Sequence, residues 1–109
     1  MTTTTTNVTV DATDQLIKGW KEHSYEITGM IEVGGDFGGG TLTFGISLSG
    51  GSVVNPWDDK DGIQLSMTSA ETVAFKIPVV IRRSDSLGIY YTMSGSTTPD
   101  VNITVVDNT

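Results

Sequence analysis

Apolar and polar residues alternate along most of this chain with a period of two. In residues 25–33 one phase carries Tyr25, Ile27, Gly29, Ile31 and Val33, and the other carries Glu26, Thr28, Met30 and Glu32. Successive side chains of a strand point to opposite faces, so this pattern predicts a strand with one buried and one wet face. Residues 41–49 place Leu42, Phe44, Ile46 and Leu48 in a single phase, which a helix would scatter around its circumference. The same alternation predicts strands through Ile63, Leu65 and Met67, through Val73, Phe75, Ile77, Val79 and Ile81, through Ile89, Tyr91 and Met93, and through Val101, Ile103 and Val105. Val8 and Val10 mark a short one near the start, for about seven in all. Pro78 has no amide hydrogen for a ladder, so its strand is expected to lie at a sheet edge or to break there.

Turn residues punctuate these segments. Residues 34–40, 49–52, 61–62 and 95–100 are rich in glycine, serine, aspartate and proline, which meet the backbone demands of tight turns. Short strands between such turns predict an all-β fold, an antiparallel β-sandwich or a jelly-roll-like small barrel. Residues 14–23 fit no period-two pattern and are left as a short helical turn or a loop. Residues 34–40 join two predicted strands and read as a hairpin loop, with Phe37 over one end of the sandwich. Thr2, Thr3, Thr4, Thr5 and Thr6 have no periodicity, so residues 1–6 are expected to form a flexible arm before one domain over residues 7–109.

Composition narrows the function classes. At 109 residues the chain has room for one core, which would bury roughly 65% of the surface its unfolded form exposes. A formal charge of −7 leaves no basic footprint for nucleic acid. The absence of cysteine excludes disulfides, thiolate metal sites and a cysteine nucleophile. No apolar run is long enough to span a bilayer, and the first residues lack the parts of a signal peptide. Met30, Val54, Val80, Tyr90 and Val106 fall on nominally wet phases. Together they imply that both faces of some strands are covered, by an insertion or by another subunit, and self-association or docking on a larger surface is expected.

Candidate chemistry is sparse. Asp58-Asp59-Lys60-Asp61-Gly62 opens like a calcium loop, but Ser69 stands where the closing bidentate acid would be, and the run reads as a solvated acidic turn. The single histidine, His23, has no nucleophile elbow to serve. The glycines of residues 34–40 lack the lysine and the following helix of a phosphate-binding loop. No catalytic residue, cofactor or metal ligand is therefore assigned, and no enzyme activity is expected. Trp20 and Trp57 lie outside the predicted strands, where they serve either as a sugar-stacking platform or as core caps and interface anchors.

Several segments carry a family likeness: the threonine-rich start, Asp36-Phe37-Gly38-Gly39-Gly40-Thr41-Leu42-Thr43-Phe44, the Ser49-Gly50-Gly51 turn, and Met93-Ser94-Gly95-Ser96-Thr97-Thr98-Pro99-Asp100-Val101-Asn102-Ile103. Over residues 25–106 the chain resembles the small β-sandwich accessory proteins that decorate or cement the capsids of tailed bacteriophages. It departs from them at residues 53–61, where an acidic tryptophan loop replaces a tighter turn. The resemblance implies a non-enzymatic virion protein, made in the bacterial cytoplasm, that binds the major capsid protein lattice on the outer shell and stabilises it. It implies neither nucleic-acid nor membrane partners. On that reading the contacts are Thr2, Thr3, Thr4, Thr5 and Thr6, the edge at Pro78 and Val80, and Trp20 and Trp57. The alternatives are a receptor- or carbohydrate-binding module of a tail or fibre, and a head-completion or tail protein.

Overall fold

A computed structural model of the chain describes residues 1–21, 26–58, 62–78 and 86–109, and among these it holds nine β-strands and no helix. They are β1 (Thr2–Val8), β2 (Ala12–Trp20), β3 (Ile27–Asp36), β4 (Thr41–Ser47), β5 (Asn55–Pro56), β6 (Ser66–Met67), β7 (Glu71–Ile77), β8 (Leu87–Ser94) and β9 (Asp100–Asp107). One sheet runs β1-β9-β3-β7, and the other runs β2-β8-β4-β5 with β6 also on β4. All pairings are antiparallel. The expected all-β sandwich is the fold.

The alternating phases set its core. Ile27, Ile31 and Val33 of β3, Phe75 and Ile77 of β7, and Val101, Ile103 and Val105 of β9 are buried on the inner face of the first sheet. Leu42 and Phe44 of β4 and Leu87, Ile89, Tyr91 and Met93 of β8 are buried on the second. β7 is a sheet edge and ends immediately before Pro78, as the missing amide hydrogen requires. Val79, Val80 and Ile81 lie outside the described residues, as do His23 and Asp59 to Asp61.

Four sequence expectations change. Thr2 to Thr6 are no arm: they belong to β1, which pairs with β9 from Thr2↔Asp107 to Val8↔Val101. Val8 is buried at the end of that strand, whereas Val10 is 65% exposed in the connection that follows. Residues 14–20 of the stretch left as a helical turn or a loop belong to the strand β2, whose pairing shifts register between Ala12 and Gln15 and again between Leu16 and Lys18. Residues 37–40 close no hairpin within a sheet. They carry the chain from β3 in one sheet to β4 in the other, with Phe37 buried beneath.

The connections 9–11, 37–40 and 95–99 all cross between sheets, and hydrogen bonds lace them together. Asp11 Oδ1 accepts from the Ser96 amide at 3.1 Å and from the Ser96 hydroxyl, while the Thr97 amide donates to the Gly38 carbonyl at 3.0 Å. Gly38 sits at φ 58°, and a Cβ there would meet the Thr97 carbonyl oxygen at 2.3 Å. No residue with a side chain fits so close a backbone approach.

Candidate functional site

The two tryptophans converge instead of forming a surface platform. The bulge at Leu16–Lys18 turns both Ile17 and Trp20 into the core, and Trp20 is buried. Its ring lies 6.2 Å from that of Phe75, and the half-buried Trp57 meets the same ring edge-on at 5.6 Å. The Trp57 backbone is pinned as well: its amide donates to the Phe44 carbonyl, and its carbonyl accepts from the Leu65 amide. The tryptophan loop noted in the sequence is therefore, at residues 55–57, a strip laid along β4. Asp58, just after Trp57, forms an antiparallel β-bridge with Gln64.

The apolar residues on wet phases divide into two groups. On the outer face of the second sheet, Tyr90 is buried, and the turn at Gly50 and Gly51 packs against its ring. Val54 lies over Gly45 on the same face. Ser47 anchors this covering segment, because its buried hydroxyl accepts from the amides of Ser49 at 3.2 Å and Gly51 at 3.0 Å. Beside it, Leu16, Gly19, Leu87 and Tyr90 line an open groove of about 350 Å³. The insertion postulated from the sequence is thus present over one sheet.

Over the other sheet, no described residue covers Met30. Pairing registers place Thr3, Val106, Met30 and Ala74 in one row across the outer face of β1, β9, β3 and β7. Met30 is 45% exposed, Ala74 is exposed and Val106 half-buried. The next row is Thr5, Thr104, Glu32 and Thr72. Asn7 and Asn102 then lead to Asp100 and Asp36, with the Asn7 amide donating to Asp100 Oδ1 at 3.0 Å. The apolar row is therefore bounded on one side by Thr28 and Lys76, the latter ion-paired with Glu26 at 3.5 Å, and on the other by polar rows that end in acids. The wet-phase position of Met30 and Val106 pointed to this row; Ala74 had no such signal, since a small residue suits either face.

Two further features bear on chemistry. Among the described residues, no group of three or more His, Asp or Glu side chains is placed to hold a metal ion. Asp107 is buried, with Oδ1 accepting from the Thr109 amide at 2.9 Å and from the Thr109 hydroxyl, and with Oδ2 unpartnered. It faces Gly29 and Thr2 across the inner side of the sheet.

The sequence-expected contacts thus separate. Thr3 and Thr5 join the exposed face and Thr2, Thr4 and Thr6 are half-buried on the inner side of β1, in phase with Val8; Pro78 is exposed beyond β7, and Trp20 and Trp57 pack around the core. No protein-family model matches the chain, and no curated protein is detectably similar to it in sequence.

Proposed function

We propose that this chain is a non-enzymatic structural protein that decorates a phage capsid, binding the shell through the outer face of the β1-β9-β3-β7 sheet. The uncharged row of Val106, Met30 and Ala74 carries the reading. In a chain of net charge −7 it offers exposed apolar surface on a four-stranded face, next to threonines that hydrogen-bond without a charge. Such a face suits a protein partner with a complementary apolar surface. Many modest contacts of this kind, repeated over a lattice, hold by avidity. The acidic remainder keeps the free protein soluble and away from nucleic acid. Against the sugar-binding alternative stand the burial of Trp20 in the core and the packing of Trp57 on Phe75.

The test is cryo-electron microscopy of particles from the source, with mass spectrometry to count this chain. Density on the outer shell, in copies proportional to the major capsid protein, is the expected result. Absence from the shell, or a few copies at a vertex or tail, overturns it. Met30→Lys is expected to weaken shell binding about tenfold or more with an unchanged melting temperature, because it places a charge in the centre of the row.

A further inference from the structure

A sheet edge exposes unpaired backbone groups that template another strand, and folded proteins normally blunt such edges with charge, proline, bulges or brevity. Among the described residues, three of the four sheet edges are blunted. β2 has two register shifts and carries Lys18. β7 carries Glu71 and Lys76 and stops at Pro78. β5 and β6 are two residues each. β1 has none of these devices: it runs seven residues in unbroken register with β9, without a charged residue, a proline or a bulge. It is the terminal strand of its sheet, so alternate residues direct their N–H and C=O groups away from β9.

We propose that this edge is completed by the β1 strand of a second copy, running antiparallel across a two-fold axis at Thr4. The two four-stranded sheets then become one of eight. Its own composition identifies the occupant. About an axis at Thr4, Thr2 faces Thr6, Thr3 faces Thr5 and Thr4 faces Thr4, so all five central pairs are threonine on threonine. Cross-strand threonine pairs are favourable, and like charges directly opposite are not. An isologous contact also uses one patch twice and closes on itself, so an unguarded edge does not lead to fibres. Residues 1–10 carry no charged side chain. Repulsion between two acidic copies therefore acts only from the bodies of the molecules, over distances that salt screens.

Sedimentation equilibrium of the full chain tests this. The wild type is expected to be a dimer whose dissociation constant falls as salt rises from about 0.02 to about 0.5 M, the reverse of a contact held by ion pairs. In the double variant Thr3→Lys/Thr5→Lys, lysine faces lysine twice, and the dissociation constant rises about tenfold or more. In Thr3→Lys/Thr5→Glu each lysine faces a glutamate, and the dimer is retained. Thr3 and Thr5 are both exposed on the outer face, so both variants keep the wild-type melting temperature of the monomer. A wild type that stays monomeric at about 1 mM overturns the proposal and leaves the edge to a strand of another protein. A dimer that both variants keep, or both lose, overturns the pairing about Thr4. None of these outcomes depends on whether the outer face binds a capsid.

Discussion

At the scale of single residues, Phe75 is the side chain on which the core turns. Its ring lies over Gly29, its partner across β3 and β7, and both Trp20 and Trp57 pack against it. Phe75→Ala is expected to cost about 3–5 kcal/mol, a large share of the ~5–15 kcal/mol that stabilises a domain. Urea unfolding followed by tryptophan emission checks it, and the folded baseline should shift to the red, since both indoles lose a ring that excludes water. Gly29 is the converse case. A Cβ there would meet the Val106 carbonyl oxygen at 2.1 Å and the Phe75 ring at 2.8 Å, so Gly29→Ala is expected to lose about 1–3 kcal/mol by overpacking. Gly34→Ala is the control: its Cβ would meet nothing within 4 Å, and its φ is not in the left-handed region. That variant should stay within about 0.5 kcal/mol of the wild type. The phase of Gly29 on the buried face was legible from the alternation. The reason it must be glycine was not, because the ring that fills its place comes from a residue 46 positions later.

At the scale of elements, periodicity identified the regular strands and failed where a strand is irregular. β3, β4, β7, β8 and β9 all follow it. β2 does not, because Ala12, Ile17 and Trp20 reach the core at separations of five and three that no unbroken period of two allows. Its two register shifts, with Asp14 at φ 49°, restore the phase each time. β1 escaped for the opposite reason, since a run of one residue type has no period even when its strand is regular. The crossing connections gain a pH dependence from Asp11. Its carboxyl is held below the usual carboxylate range, chiefly by the Ser96 hydroxyl and also by the Ser96 and Gly95 amides, with desolvation opposing. A depressed folded value means that the clamp contributes fully above the unfolded value of about 4 and is lost as pH falls through the lower folded one. The Ser96 amide resonance is therefore expected to report a titration midpoint below that of an exposed aspartate. In Asp11→Asn this acid-side titration of Ser96 should disappear. A midpoint at the ordinary value would remove the clamp from the account of stability.

At the scale of the whole molecule, the chain alternates between sheets: β1, β3, β7 and β9 belong to one, and β2, β4 and β8 to the other. Among the described residues, no two consecutive long strands pair with each other. Every long ladder instead joins strands distant in sequence, with β1 on β9 as the extreme. This was the part least legible in the residues, for alternation tells which face is buried and nothing about which strand lies alongside. It also decides how the molecule folds. Local contacts reward a chain early, whereas distant pairings require loop closure before any ladder bond forms, so such topologies fold in milliseconds to seconds. Stopped-flow refolding is expected to give a main phase in that range. Val8→Ala, in the last ladder to be closed by the chain ends, should speed unfolding while leaving the refolding rate nearly unchanged. Equal slowing of refolding would place the β1–β9 ladder in the folding nucleus and make β1 an organising strand. The expected outcome instead makes β1 a late addition to a sheet already formed. Its free edge is then presented only after the rest of the sandwich is in place, which protects it from pairing with other chains during folding.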